Sequence, residues 1–406
     1  MNWDRTDRHH YSVSYHSLLF ARCKKASGFV SVTVIIKGLR KNQFLDHFQA
    51  FLAWARRHLA GILGVRTTPE RFQRSFAGRV PARPGEDSLK LEPHVLCNTS
   101  ISFKGITVRK THTWSDNNAT IAVEGLKSRI SVLHVTDSHL GLIDDRDPEH
   151  LEKNTGTRDR FAERRQDADG NNVFSDVSFD EAMAVAAEKQ VDLVALTGDN
   201  IHFPSQANVE HIASSVEKSG RPMLYTAGNH DWHFPGLTGR DDLRQEWWPA
   251  LGPLHRGNPS CDAMEIGGVC FLTVDDSTYQ VNEEQLEFTR EQLARGLPTV
   301  LLIHIPLSTA TLRLAVIERW KTPIMIGDPD WGFESRDKWG TDFDEDTTLE
   351  FVRLVSRADN LAAVLCGHVH FPHADTVGTQ AVQYVTQPSF EGGMRMVELV
   401  PLDEEG

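Results

Sequence analysis

Five short motifs in this chain carry side chains able to hold cations or move protons: Asp137-Ser138-His139, Gly198-Asp199, Gly228-Asn229-His230-Asp231, His304, and Gly367-His368-Val369-His370. An Asp and a His two residues apart can reach one point where a backbone turns at a strand end. Glycine before Asp199 permits a sharp bend that projects the carboxylate. Taken singly, each motif has a structural explanation. Turns favour Gly, Asp and Asn for their own reasons. A lone histidine in an apolar run such as LLIHIPL is usually a satisfied core residue, and GHVH, a metal signal at a strand end, has a hydrogen-bonded turn as its rival reading.

The elements that must position these residues make the motifs a set. ISVLHVT (130–136), VDLVALT (191–197), MLYTA (223–227), TVLLIHI (299–305) and LAAVLCG (361–367) are short apolar runs that predict buried strands, and VCFLTVD (269–275) is a sixth. Helices are expected at 179–190, 208–220 (stopped by Gly220), 283–296 and 347–358. Strand alternating with helix implies a layered α/β core. In such sheets ligand sites gather at the carboxyl ends of strands, and each motif falls where an apolar run ends. QAVQYVTQPS and MRMVELVPL are expected to be strands pairing with each other at the end of the chain.

In that order, D-x-H, G-D, G-N-H-D, H and G-H-x-H over residues 130–400 resemble the calcineurin-like metallophosphoesterase superfamily. The resemblance implies an α/β/β/α fold, a β-sandwich flanked by helices, and hydrolysis of a phosphomonoester or phosphodiester by a water or hydroxide activated at a dinuclear centre. It further implies that Asp137, His139, Asp199 and His370 bind one metal. Asp199, Asn229, His304 and His368 would bind the other, with Asp199 bridging. Carboxylate and imidazole ligands without thiolates suit two transition metal ions drawn from Mn, Fe or Zn. His230 corresponds to the family's residue beside the phosphate, which stabilises charge or protonates the leaving group. Asp231 reads as closing its turn in preference to orienting His230, and His202 as a surface-loop histidine in preference to one facing the cleft.

Two long gaps interrupt the motif spacing, at 143–172 and 327–346. Trp331, Arg336, Lys338 and Trp339 in the second either frame a phosphate or leaving group or pack the loop down. A metal-binding scaffold without catalysis and a nuclease-type phosphodiesterase are the rival readings of the whole.

The net charge of −13 is unevenly spread: residues 1–90 hold 16 Lys and Arg against 6 Asp and Glu, and the remainder 27 against 50. An acidic body suits cation binding better than wrapping nucleic acid, so nucleic acid is expected at most as a substrate. Residues 1–95 form a basic extension of unassigned role, with one helix expected at 44–63. The catalytic domain is expected at 96–406, led by a hairpin at 96–128. Five scattered cysteines with no CxxC pair argue against a disulfide scaffold and a thiolate zinc site, leaving only a Cys261–Cys270 bridge open. No apolar stretch suggests a membrane span and the first residues do not read as a secretory signal, so the cytoplasm is the favoured compartment.

Overall fold

Val132 and Leu133 are successive residues of one strand, and both are buried, which is the mark of a sheet covered on both faces. A computed structural model describes residues 108–234, 241–378 and 380–402, together with three strands before them. The helix expected at 44–63 lies outside the described residues. The chain divides into two units, Met1–Ser88 and Leu89–Gly406. In the first, β1 (Leu18–Ala26) pairs antiparallel with β2 (Phe29–Lys37).

The second unit holds, in chain order, β3 (His94–Cys97), β4 (Lys110–Trp114), β5 (Asn118–Val123), β6 (Ile130–Val135), α1 (Leu151–Ala162), α2 (Ser175–Lys189), β7 (Leu193–Thr197), α3 (Gln206–Ser219), β8 (Met223–Thr226) and α4 (Asp241–Trp247). There follow β9 (Cys261–Ile266), β10 (Val269–Val274), α5 (Glu283–Ala294), β11 (Thr299–Leu302), α6 (Ala310–Trp320), α7 (Phe333–Lys338), α8 (Asp346–Arg357), β12 (Leu361–Cys366), β13 (His373–Val377), β14 (Ala381–Val385) and β15 (Arg395–Pro401). They build a seven-stranded sheet ordered β3-β4-β5-β15-β6-β7-β8 and a six-stranded sheet ordered β13-β14-β12-β11-β10-β9.

The expected α/β/β/α layering is present. Ile121, Val132 and Leu193 from one sheet pack with Phe271, Val300 and Leu365 from the other in a shared core. On the outer face of the seven-stranded sheet, Leu133 and Val194 pack with Phe179 and Met183 of α2 and Ile212 of α3. The six-stranded sheet's outer face joins Leu272 and Leu301 to Leu286 of α5, Val316 of α6 and Phe351 of α8. Local signals agree with this plan. Ser205 caps α3 by accepting the Asn208 amide, Gly220 ends it at φ 66°, and Asn282 with Gln285 forms a capping box on α5.

The expected pairing at the chain end is wrong. β14 joins β12 and β13, whereas β15 inserts between β5 and β6 of the other sheet. The segment between them crosses beneath the strand ends, where Ser389 and Phe390 amides donate to the Thr136 and Asp137 carbonyls. Each strand thereby completes a different sheet. Cys261 and Cys270 are both free; β9 and β10 place them opposite Val274 and Glu265, not each other. Among the described residues no helix is long and apolar enough to cross a membrane.

Lys110 of β4 ties the sheets together by donating from its buried Nζ to the carbonyls of Asp359 and Leu361 at 2.7 and 2.5 Å. Burial pushes its pKa down from 10.5 to about 8, against the attraction of Asp359. Between pH 8 and 10.5 the unfolded chain therefore binds more protons at this site than the folded one, and stability rises with pH. The wild type is expected to gain stability relative to Lys110→Met between pH 7.5 and 10 in paired urea titrations. A difference constant with pH would contradict this.

Candidate metal centre

The loops after β6, β7, β8, β11 and β12 converge. β6 and β7 continue their parallel pairing past their ends: Asp137, His139 and Leu140 amides donate to the carbonyls of Gly198, Asp199 and Asn200 at 3.0, 2.8 and 3.0 Å. Asp231 then locks the neighbouring loops, accepting from the amides of Gly228 (2.6 Å), Asp199 (2.8 Å) and Ile201 (2.9 Å). It closes the turn, as expected from sequence. Burial and the nearby Asp199 charge hold Asp231 up at about 8, although its backbone donors pull the other way. Asp276 does the same for β11, accepting from the His304 and Ile305 amides.

Within this frame six of the seven residues expected to bind metal fall close together. His139 Nε2 lies 3.2 Å from His370 Nε2 and 3.7 Å from Asp199 Oδ2, and His370 Nε2 lies 3.3 Å from Asp137 Oδ1. Asp199 Oδ2 also lies 3.3 Å from His304 Nε2. One carboxylate oxygen therefore stands between two donor groups: Asp137, His139, Asp199 and His370 on one side, Asp199, His304 and His368 on the other. Asn229 adjoins them through its chain neighbour His230, whose amide donates to Asp199 Oδ1 at 2.8 Å.

The donor atoms fit cations. His304 Nε2 and Asn229 Oδ1 are buried without a hydrogen-bond partner, an arrangement costly for a polar atom unless something else satisfies it. Nearness to Asp199 does not satisfy His304, since the contact lacks hydrogen-bond geometry. Burial alone would lower the His304 pKa, yet the Asp199 carboxylate raises it to about 10. The pocket thus favours positive charge where the two groups meet. The His304 and His368 imidazoles are also fixed from one side: His304 Nδ1 donates to the Thr197 carbonyl at 2.8 Å, and His368 Nε2 bonds the Tyr279 hydroxyl at 3.0 Å.

Among the described residues eight non-glycines have positive φ, and five of them are Asp137, His139, Asp199, His368 and His370. Asp and His tolerate this left-handed region better than most residues. A sixth is Tyr279 at 63°. Such backbone is held only where its surroundings over-determine it, and it concentrates at functional sites.

The structure revises the reading of His202. It is buried, its Nδ1 lies 3.0 Å from His139 Nδ1, and its ring stacks on His230 with centroids 4.4 Å apart. Burial, then the His230 and Arg160 charges, hold its pKa well below the ordinary value. His230 is half-buried, and burial lowers it to about 4. The first insert supplies α1, whose Phe161 stacks on His139 at 4.6 Å and 7°. In the second insert, Trp331 and Arg336 are packed down: the guanidinium lies under the Trp331 ring and pairs with Asp344 at 2.7 Å. Trp339 instead stands half-buried, edge-on to Trp320 and His368, while Lys338 is exposed. Tyr279 had no sequence signal at all.

The calcineurin-like phosphoesterase family model matches residues 130–372, and the chain belongs to that family. Similar solved structures include a dimetal phosphatase from Danio rerio, at 9% identity and TM-score 0.40, covering 65% of this chain and 89% of that one. A purple acid phosphatase from yellow lupin (Lupinus luteus) shows 16% identity and TM-score 0.38, covering 70% and 49%. A 5'-nucleotidase from Candida albicans shows 12% and 0.31, covering 64% and 45%, so this chain spans about half the length of the lupin and Candida proteins. No curated protein matches the chain.

Proposed function

We propose that this chain is a metal-dependent hydrolase of phosphoesters, with Asp137, His139, Asp199 and His370 holding one cation and Asp199, Asn229, His304 and His368 the other. The observation that carries this reading is Asp199 Oδ2 standing between two imidazole groups, with His304 Nε2 buried and without a hydrogen-bond partner beside it; Asn229 Oδ1 is likewise buried and unpartnered. Two transition metal cations there supply Lewis acidity toward phosphoryl oxygens and lower the pKa of water.

The chain's own residues do the rest. Asp199 and Asp137 offset cationic charge inside a buried pocket. Thr197 and Tyr279 engage His304 Nδ1 and His368 Nε2, leaving His304 Nε2 and His368 Nδ1 as the nitrogens that would hold a cation. His230 lies against this group, its ring 5.1 Å from that of His139. An anionic phosphoester beside it would raise its proton affinity. His230 then donates a proton to the leaving-group oxygen. Trp339 and Trp320 form a wall on the His368 and His370 side against which a leaving group packs.

The test is a panel of aryl monoester, aryl diester, nucleotides and phospholipid head groups, assayed with Mn, Zn and Fe added in turn. Hydrolysis of at least one ester is expected, abolished by chelator and restored by metal, and lost in His370→Ala. Metal uptake with no turnover of any ester would favour the scaffold reading instead.

A further inference from the structure

We propose that His202 is the positioning residue for His139: it accepts the Nδ1 proton of His139 and so holds the Nε2 lone pair toward the first cation position. The inference rests on the metal-dependent reading above.

The argument follows from where the two nitrogens of His139 point. Its Nε2 faces Asp137 Oδ1 at 4.0 Å, Asp199 Oδ2 at 3.7 Å and His370 Nε2 at 3.2 Å, which are the other candidate ligands of one cation. A neutral imidazole that offers Nε2 to a metal must carry its proton on Nδ1. That proton needs an acceptor, because His139 is buried and no water reaches it freely. The atom within reach is His202 Nδ1, at 3.0 Å. Metal-binding histidines commonly donate to a carboxylate or carbonyl; here the acceptor is a second imidazole.

His202 is itself fixed in place. Its amide donates to the Leu140 carbonyl, and Ser205 Oγ donates to the Leu142 carbonyl two residues further on, so the 140–142 and 202–205 segments move together. Phe161 packs edge-on to its ring and His230 stacks on its face. Arg160 Nη2 of α1 lies 3.4 Å from the outer nitrogen Nε2, in a contact where the guanidinium can only donate. With Nδ1 accepting, Nε2 carries the proton. The guanidinium then has no acceptor at Nε2, so this exposed side chain must turn aside when His139 holds a cation.

Three variants test this: His202→Phe keeps a ring and removes the acceptor, His202→Asn restores an acceptor near Nδ1, and Arg160→Met removes the neighbouring cation. Metal content and affinity are read by equilibrium dialysis against buffered Mn or Zn, with thermal denaturation of the metal-free proteins alongside. In His202→Phe, one of the two cations is expected to bind about 10–100-fold more weakly and the other within about twofold of wild type. kcat for an aryl phosphate should fall while KM changes little, and His202→Asn should recover most of the loss. Arg160→Met should retain both cations.

Wild-type affinity for both cations in His202→Phe would overturn the inference, as would an equal loss of both with a lowered denaturation midpoint. Failure of His202→Asn to recover affinity, or loss of the first cation in Arg160→Met, would also overturn it. Wild-type protein that takes up no metal would remove the proposed function itself, a result the variants do not mimic.

Discussion

Asp199→Asn protein is expected to fold as the wild type does, to lose metal from both positions, and to hydrolyse an aryl phosphate about a thousandfold more slowly. The substitution is isosteric, and the bonds that shape the loop survive it. The amide of residue 199 still donates to Asp231, and an asparagine oxygen still accepts from the His230 amide. What disappears is the charge at Oδ2, the atom that stands 3.7 Å from His139 Nε2 and 3.3 Å from His304 Nε2. Between the Asp137–His139–His370 side and the His304–His368 side, Asp199 is the residue that both groups share. Losing Lewis acidity removes several kcal/mol of transition-state stabilisation, and at about 1.36 kcal/mol per tenfold this is roughly three decades in rate. Metal analysis and steady-state kinetics check the prediction together. Retention of two metals with a rate within tenfold of wild type would refute the bridging role.

The motif order was legible because the chemistry follows packing: the motifs fall at the ends of apolar runs such as ISVLHV or LAAVLC, and those runs became β6 and β12. His304 could be separated from an ordinary core histidine only by company. Nothing in LLIHIPL says that its Nε2 is unsatisfied, since that depends on Thr197 claiming Nδ1 from another strand. His202 was misread for a related reason. Its neighbours in sequence, Ile201 and Phe203, are ordinary, and its partners His139 and His230 lie 63 and 28 positions away. The α1 segment LEKNTGTRDRFA has a weak helical signal, with glycine and two threonines inside it, and it owes its place to Phe161 stacking on His139. The swap of β14 and β15 between sheets was illegible because apolar alternation specifies a strand but not its neighbour. Left-handed backbone at Asp137, His139 and His370 left no mark either, because residue type permits that conformation without announcing it.

Gly228→Ala is expected to cost about 1–3 kcal/mol of stability and most of the activity, although it adds one methyl group and changes no charge. A Cβ at position 228 would overlap the Asp199 amide nitrogen and Oδ1, and would meet Asp199 Cγ at 2.9 Å. Neither side of that contact has room to yield. The Asp199 amide is held by Asp231, whose second oxygen also holds Ile201, and Oδ1 is held by the His230 amide. Gly228 itself is pinned by donating to Asp231. Relief must therefore rotate the Asp199 carboxylate or lift the 228–231 turn, and either motion displaces Oδ2, Asn229 and His230 at once. Gly252→Ala is the matched control: no atom lies within 4 Å of a Cβ there, and its stability should change by no more than about 0.5 kcal/mol. Urea denaturation and metal analysis of the two proteins measure the contrast. A Gly228→Ala protein as stable and as metal-replete as Gly252→Ala would show that the loops after β7 and β8 are looser than their hydrogen bonds imply. The convergence on Asp199 would then not be what holds the centre together.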